Sequence, residues 1–294
     1  MAAPSLLRLA AFQLPVIMLL LQQSGGVRSL TVGCVGDSIT QGVGASCPVC
    51  PTKGPLQPCG PQGCAHAWPA QLQRLLGSQH TVLNWGHVAA TMQRTTNCYD
   101  KDCEGRSCPT GRTSGSPQPC RSNGPPYWVT AEFARATNTT APLDVVVIML
   151  GTNDAKRNNW LHLGNESQYI DDAAAMVATF LSLPQKPKVY LSSPPPLYHP
   201  TYTMNQTVVG TIMPRILRTV CAQHSGCSFI DMITPLGGWP QLSEPQLFLP
   251  NSTNGGCDGG DPKKCKGDGC HPDDLGHAKI ASVVARALSL SPAQ

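Results

Sequence analysis

The sequence predicts a three-layer α/β/α sandwich built around a mainly parallel sheet. Two apolar segments, "LTVGCVG" at residues 30–36 and "DVVVIMLG" at 144–151, are short, rich in β-branched residues and bounded by turns. Such segments are typical of strands that are buried on both faces of a parallel sheet. Helical patterns lie between the strands, and this alternation favours parallel pairing through right-handed crossovers.

Five strands and five helices are predicted in alternation along the chain. The strands are expected at residues 30–36, 81–86, 144–151, 188–193 and 227–232, and the second, fourth and fifth have the weaker apolar patterns. The helices are expected at residues 66–78, 126–136, 170–183, 207–223 and 274–290. These elements together predict a single domain over residues 30–290.

Three segments, residues 45–64, 97–123 and 251–270, interrupt this alternation. They are rich in Cys, Pro and Gly and show no helical or strand period, so we expect surface insertions held by disulfides. The spacing of Cys47 and Cys50 is also that of zinc sites, but an oxidising compartment favours disulfides. The last segment lacks the regular acid spacing and closing glutamate of an EF-hand calcium loop. We therefore expect no bound metal.

The N-terminal segment predicts export. Arg8 precedes an apolar run over residues 9–21, and small residues follow, which indicates a signal peptide over residues 1–26 with cleavage between 24 and 29. The run is shorter than the roughly 18 apolar residues of a spanning helix. We expect a protein without a stable membrane anchor that is secreted or lies in the lumen of the secretory pathway.

Cysteines and glycosylation sequons agree with export. All fourteen cysteines follow the expected cleavage point, as an oxidising compartment permits. Four sequons, at Asn138, Asn165, Asn205 and Asn251, would be glycan acceptors in a eukaryotic secretory pathway. The sequence therefore predicts a disulfide-bonded glycoprotein.

Charge is less informative. The formal net charge is +4, and the Lys and Arg residues are scattered rather than gathered in a stripe. This pattern argues against a nucleic-acid partner. It leaves the oligomeric state open.

Chemistry-bearing residues follow the predicted strands. Residues 36–38 (Gly-Asp-Ser) follow the first strand, residues 84–86 (Asn-Trp-Gly) end the second, and residues 151–154 (Gly-Thr-Asn-Asp) follow the third. Asp268 and His271 lie three residues apart, just before the last helix. Ligands of α/β sheets bind at the carboxyl ends of the strands, so we expect these groups to meet there.

These residue types suit nucleophilic catalysis. A serine is a weak nucleophile until an imidazole takes its proton, and the imidazole works best when a carboxylate fixes its tautomer. Ser38, His271 and Asp268 supply these three groups. The Ser38 and Gly86 backbone N–H groups and the Asn153 side-chain amide are candidate donors for an oxyanion hole. Such a site needs no cofactor.

Four blocks in order along the chain resemble the GDSL family of lipases and esterases, also called SGNH hydrolases. They are "VGDSITQG", "NWGHVAAT", "IMLGTNDAK" and "DGCHPDDLGHAKIA", and the resemblance spans residues 30–290. It implies a flavodoxin-like fold, Ser38 as nucleophile, His271 as base and Asp268 as its partner. It also implies an oxyanion hole of Ser38, Gly86 and Asn153. The second block departs from the family in having Ala89 where another glycine is usual.

Neighbouring polar residues have simpler interpretations. Asp37 and Asp154 are expected to accept hydrogen bonds from turn amides near the nucleophile. His277 lies about a turn into the last helix, where a packed or surface histidine is favoured over a base. His87 is interpreted as a satisfied loop residue, with a substrate contact as the alternative. Ser38 itself has the alternative role of a helix cap.

The substrate is the least determined property. "GTNDAKRNNW" resembles the third block of family members that act on acetylated carbohydrates, and export agrees with a glycan substrate. We therefore expect a small-molecule or glycan ester substrate, with an O-acetylated carbohydrate favoured. Trp85 and Trp160 are candidates for stacking on a sugar ring, whereas Trp68 and Trp128 are expected in the core. The alternatives are a lipid acyl esterase and a non-catalytic glycan-binding module of the same fold.

Overall fold

The computed structural model describes residues 29–46, 64–94, 124–162, 165–198, 201–241, 243–248 and 268–289. The expected signal peptide and the greater part of the three insertions lie outside these residues. Within the described residues, no helix combines the length and the apolar character that crossing a membrane requires.

A parallel five-stranded sheet forms the centre of the domain. Its strands are β1 (Thr31–Gly36), β2 (Thr81–Gly86), β3 (Val145–Met149), β4 (Lys188–Ser192) and β5 (Cys227–Ile230), in the order β2-β1-β3-β4-β5. Gly36 of β1 is in register with Gly86 of β2 and Met149 of β3, so these strands end at the same level. The prediction of a parallel α/β/α fold is confirmed.

The α-helices of the described residues are α1 (Ser38–Gln41), α2 (Trp68–Leu76), α3 (Ala131–Thr137), α4 (Arg157–His162), α5 (Asn165–Leu181), α6 (Met213–Ala222) and α7 (Asp274–Ser289). The predicted helix over 126–136 is divided into a 3₁₀ turn at Tyr127–Val129 and α3. The division falls at Thr130, whose side chain caps α3 by accepting a hydrogen bond from the Phe133 N–H.

The predicted helix over 207–223 also differs from the structure in its first turns. A π-helical segment, Val208–Ile212, precedes α6, and Pro214 is close to the N-terminus of α6. Proline lacks an N–H and its ring crowds the carbonyl four residues earlier, here that of Gly210. The wider π turn accommodates this proline.

Each face of the sheet packs on its own hydrophobic core. Val146 and Ile148 of β3 point into one core, which includes Phe180 of α5. Val147 of the same strand points into the other core, which includes Ile280 of α7. Successive side chains of a strand point to opposite faces of the sheet, which explains this alternation. Each fully buried aliphatic side chain contributes about 1.5–3 kcal/mol to stability relative to an exposed one.

Five cysteines lie in the described residues, of which three are disulfide-bonded and two are unpaired. Cys221 and Cys227 form a disulfide that links the end of α6 to the start of β5, and Cys64 is also disulfide-bonded. Cys34 and Cys270 are buried free thiols. Cys34, in β1, is therefore an unpaired residue of the hydrophobic core.

Gly86, at the end of β2, allows α1 to pack directly on the strand. A Cβ at this position would lie 2.2 Å from the backbone nitrogen of Gln41 and 2.7 Å from the carbonyl carbon of Thr40. Backbone atoms of a packed helix cannot move aside as the end of a long side chain can. The absence of a side chain at Gly86 therefore fixes how closely α1 approaches the sheet.

We predict that Gly86→Ala destabilises the fold by about 1–3 kcal/mol, because overpacking at a backbone contact forces α1 away from β2. Chemical denaturation of the variant measures this loss. Thr81→Ala, at the exposed start of the same strand, is the control and should change stability by less than about 0.5 kcal/mol. Equal stability of Gly86→Ala and wild type would contradict the close contact.

Candidate active site

Ser38 lies where β1 meets α1. It is the first residue of the helix, and Asp37 precedes it as the N-cap, accepting a 2.9 Å hydrogen bond from the Ile39 N–H. The helix ends after one turn at Gly42, whose left-handed φ of 109° suits glycine. This strand–turn–helix arrangement holds the serine side chain at the carboxyl edge of the sheet, with 7% of the residue exposed.

His271 meets Ser38 from the far end of the sequence. Its Nε2 lies 2.9 Å from the Ser38 Oγ, and its Nδ1 is hydrogen-bonded to Asp268 Oδ2. Because an ionised carboxylate only accepts, the Nδ1 carries the proton and the Nε2 is left to accept from the serine hydroxyl. The three residues expected to act together are therefore joined in one hydrogen-bonded chain.

Asp268 is held by backbone groups as well as by the imidazole. Its Oδ1 accepts hydrogen bonds from the N–H groups of Cys270 and His271 at 2.9 and 2.8 Å. Burial raises the pKa of this carboxyl, but the hydrogen bonds and charge interaction with His271 outweigh burial and hold the pKa at about 2. Asp268 is therefore ionised at neutral pH, as an orienting partner for the imidazole must be.

The turn that carries His271 is fixed against the segment that leaves α1. Gly44 lies so close that a Cβ there would be 2.9 Å from the His271 Cβ and 2.2 Å from the Pro272 carbonyl oxygen. Next to it, the Ser46 N–H donates to Asp274 Oδ1 at 2.7 Å, and the Ser46 hydroxyl donates to Asp274 Oδ2. The start of α7 is thus bound to the segment that follows the nucleophile.

His277 adds a buried link in the same region. Its Nδ1 accepts from the Trp68 N–H and its Nε2 donates to the Val43 carbonyl, both at 3.2 Å. Burial lowers the pKa of His277 to about 4, so the ring is neutral and can accept and donate at once. The expectation of a packed, non-catalytic histidine is confirmed.

Asn153 follows β3 and lies beside the nucleophile turn. Its side-chain Nδ2 is 3.2 Å from the Ala90 carbonyl oxygen and 3.4 Å from Asp37 Oδ2. Its backbone carbonyl accepts a hydrogen bond from Asn159 Nδ2 at 2.9 Å. The contact with Ala90 is at the upper end of the normal range for a hydrogen bond, and the contact with Asp37 is longer than that range. These contacts hold the Asn153 amide beside the turn that carries Ser38.

The expectation that Gly86 donates to an oxyanion is not supported. Its N–H donates to Asn84 Oδ1 at 2.9 Å, so it is already in use. The residue is required for close packing of α1, as described above. Sequence alone does not separate these two reasons for a glycine.

Ala89 occupies the position that departs from the family pattern. Its φ of 61° is left-handed, a conformation that glycine adopts freely and alanine at a cost of about 1–2 kcal/mol. The turn that contains it is closed by a 3.1 Å hydrogen bond from the Ala90 N–H to the His87 carbonyl. Among the described residues, no acceptor meets the Ala89 N–H.

Two buried acids support the loops around Ser38. Asp154 accepts hydrogen bonds from the Met92 and Gln93 N–H groups at 2.9 and 2.8 Å. Burial raises the pKa of Asp154 to about 7 and that of Asp37 to about 6. Both acids accept from turn amides, which confirms the structural role expected for them.

The tryptophans expected to stack on a sugar lie in the core, which corrects that expectation. Trp85 is 7% exposed and its ring covers Gly33 of β1, where a Cβ would be 2.1 Å from the indole. Trp160, in α4, is 6% exposed and packs 5.7 Å from the Tyr169 ring. Neither indole presents a face to solvent.

The surroundings of Trp68, Trp128 and His87 are also defined in the structure. Trp68 is fully buried as expected, whereas Trp128 is partly exposed, with the Arg94 guanidinium 4.0 Å from its ring centre. The His87 Nδ1 lies 2.7 Å from Glu132 Oε2, so this imidazole has a partner within the protein. This contact agrees with the interpretation of His87 as a satisfied loop residue.

Tyr202 is beside the triad and was not anticipated from the sequence. Its hydroxyl donates to Asp268 Oδ2 at 3.1 Å, and its ring centre lies 6.2 Å from that of His271. No motif marks the segment that carries it. Only the fold brings it to Asp268, 66 residues later in the chain.

No metal site accompanies these residues. Within the residues that the structure describes, no group of three or more His, Cys, Asp or Glu side chains could hold a metal ion.

We predict that His277→Gln lowers the free energy of unfolding at neutral pH. We also predict that this free energy decreases less steeply with falling pH in the variant than in wild type. The folded pKa of His277 lies below its usual 6.5, so its stabilisation is present above pH 6.5 and is lost as the pH falls through about 4. Thermal unfolding of wild type and variant between pH 4 and 7 measures this. Asp37 and Asp154 titrate in both proteins, so the difference between the two curves reports His277. His224→Gln is the control, and parallel curves for His277→Gln and wild type would refute the prediction.

Comparisons with known proteins agree with this geometry. Residues 34–279 match the GDSL-like lipase/acylhydrolase family. An acetylxylan esterase from Xylanibacter ruminicola is 25% identical over 274 residues, which cover 88% of this chain but only 43% of that protein. The chain thus spans less than half the length of this relative.

Solved structures with the same fold include two bacterial esterases. The aryl esterase of M. smegmatis has a TM-score of 0.55 and 19% identity, with 89% of this chain and 99% of that chain covered. A carbohydrate acetylesterase from Sinorhizobium meliloti has a TM-score of 0.53 and 18% identity, with the same coverage. Because the family match covers most of the chain, the protein belongs to the GDSL-like lipase/acylhydrolase family.

Proposed function

We propose that the protein is an exported serine esterase that removes acetyl groups from an O-acetylated carbohydrate, with Ser38, His271 and Asp268 as its catalytic triad. The hydrogen-bonded chain from Ser38 Oγ through His271 to Asp268 carries the proposal. It supplies a nucleophile, a base and an orienting carboxylate at the carboxyl edge of the sheet.

In the first half of the reaction, the Ser38 hydroxyl attacks the ester carbonyl carbon. His271 Nε2 takes the hydroxyl proton as the new C–O bond forms, and Asp268 stabilises the resulting imidazolium. Collapse of the tetrahedral intermediate breaks the bond to the alcohol oxygen, which receives the proton from His271. The acetyl group remains on Ser38.

In the second half, water replaces the alcohol. His271 accepts a proton from the water as its oxygen attacks the acetyl carbonyl, and the same proton then returns to Ser38 Oγ. Acetate leaves and the free serine is restored.

The negative charge on the carbonyl oxygen needs donors that do not move during the reaction. We assign this role to the Ser38 N–H, the Asn153 Nδ2 and the Ala89 N–H. Two facts support Ala89 in place of Gly86: the left-handed turn at Ala89 lies against Asn153 through the Ala90 carbonyl, and the Gly86 N–H is already bonded to Asn84.

The carbohydrate substrate is supported by the names of similar proteins. An acetylxylan esterase is among the relatives, and a carbohydrate acetylesterase is among the proteins with the same fold. The sequence "GTNDAKRNNW", which resembles the third block of family members that act on acetylated carbohydrates, also favours this substrate.

Export is supported by the N-terminal apolar run and by the Cys221–Cys227 disulfide, which an oxidising compartment maintains. Two sequon asparagines, Asn138 and Asn205, are exposed and so accessible to glycosylation.

Ser38→Ala should abolish hydrolysis of chromogenic esters, because no other nucleophile is activated by His271. We expect wild-type activity to decrease from acetate to palmitate esters and to extend to acetylated xylan or its oligomers. A long-chain optimum would instead indicate a lipid substrate. Binding of glycans without turnover of any ester would indicate a binding module, and full activity of Ser38→Ala would exclude the triad.

Asp268→Asn should reduce kcat by roughly 10³–10⁴-fold while the protein still folds, because an amide cannot hold the imidazole in the required tautomer. The hydrogen-bond partners of this carboxylate in the described part of the chain are all donors, so either orientation of the amide places an NH₂ against one of them. Steady-state kinetics and thermal unfolding separate the loss of activity from a loss of structure. Asp171→Asn, on the exposed side of α5, is the matched control; near-normal turnover of Asp268→Asn would remove Asp268 from the triad.

A further inference from the structure

Tyr202 combines a polar contact with an exposed ring. Its hydroxyl donates to Asp268 Oδ2, and its ring stands edge-to-face with His271 at an interplanar angle of 69°. The residue is nevertheless 52% exposed. Of the large exposed apolar residues in the described part of the chain, Tyr202 is the one with an aromatic ring. A substrate can therefore reach its ring directly beside the triad.

The backbone around Tyr202 is strained and tightly held. Tyr202 and Thr203 both have left-handed φ values, 47° and 60°, which are costly for residues with a Cβ. The Met204 N–H donates to the Thr201 carbonyl at 2.8 Å, and the Arg157 N–H donates to the Thr203 carbonyl at 2.9 Å. The first of these bonds closes the turn, and the second links it to the segment that follows Asn153. Such strain persists because the surrounding structure fixes the turn.

The proton transfers of the reaction determine which part of the substrate lies near the Tyr202 ring. His271 must deliver its proton to the alcohol oxygen, so that oxygen lies within hydrogen-bond reach of His271 Nε2 in the transition state. The alcohol part of the ester then extends over the surface around His271. The carbonyl oxygen, by contrast, faces the proposed oxyanion donors, among them Asn153 Nδ2.

We propose that Tyr202 forms a wall of the alcohol subsite, where its ring packs against the sugar or other cyclic alcohol of the ester while its hydroxyl, bonded to Asp268, fixes the ring in place. This rests on the proposed roles of Ser38 and His271, and it deepens them by naming a residue that selects the alcohol. Tyr202 takes the role that the buried Trp85 and Trp160 cannot have.

Two substitutions separate the ring from the hydroxyl. Tyr202→Phe keeps the ring and loses the hydrogen bond to Asp268, whereas Tyr202→Asn loses both and retains a side chain that tolerates left-handed φ. The comparison between these two variants therefore reports the ring alone. Val129→Ala, at an exposed apolar residue in the 3₁₀ turn Tyr127–Val129, is the control.

The substrates should share the acetyl group and differ in the alcohol: methyl acetate, 2-naphthyl acetate and an acetylated xyloside. We expect kcat/KM of Tyr202→Asn to be about 3- to 10-fold below that of Tyr202→Phe for the two cyclic alcohols, mainly through KM, because aromatic packing contributes this much. For methyl acetate the two variants should be equal.

A ratio near one for all three esters, or an equal loss on all three, would overturn the proposal. Thermal unfolding of both variants measures the stability of the turn, and a uniform loss overturns the proposal whether or not stability is lowered. If wild type hydrolyses 2-naphthyl acetate but no sugar acetate, the carbohydrate proposal fails while the aryl and methyl esters still decide the role of Tyr202.

Discussion

The site depends on the contact between the segment that leaves the nucleophile helix and the turn that enters the last helix. Gly44 lets the two backbones touch, Ser46 binds the first residue of α7, and His277 joins Val43 to Trp68. None of these groups touches the reacting atoms. They determine where His271 stands relative to Ser38, and a proton transfer over 2.9 Å tolerates little error in that position.

The sheet provides the other half of this positioning. Strands β1, β2 and β3 end in register, so the residues that follow them emerge side by side. Glycines at two of these ends, Gly36 and Gly86, remove the side chains that would hold α1 away. Buried acids then tie down the loops: Asp37 caps α1, and Asp154 binds the amides of residues 92–93. Each acid has a raised pKa, which is the electrostatic cost of using a carboxylate as a buried acceptor.

Sequence reasoning succeeded where a local pattern has one structural meaning. Buried strands have continuous apolar runs, and parallel strands present their following residues at one edge, so the meeting of Ser38, Asp268 and His271 could be predicted. Sequence reasoning failed where the role of a residue depends on the direction in which its side chain points. Trp85 neighbours Gly86 in sequence, yet the alternation along β2 turns its ring onto Gly33 and into the core. Gly86 was assigned a donor role when its lack of a Cβ is what the packing requires. Tyr202 could not be found, because a turn held by long-range hydrogen bonds leaves no periodic signal.

The distance along the chain between Ser38 and His271 has a consequence for biogenesis. The two residues are separated by 233 positions, and the base lies on the turn before the final helix. During synthesis Ser38 emerges first, and His271 can reach it only after nearly the whole domain has left the ribosome. On the proposed mechanism, the chain cannot hydrolyse an ester before α7 docks and places His271 beside Ser38.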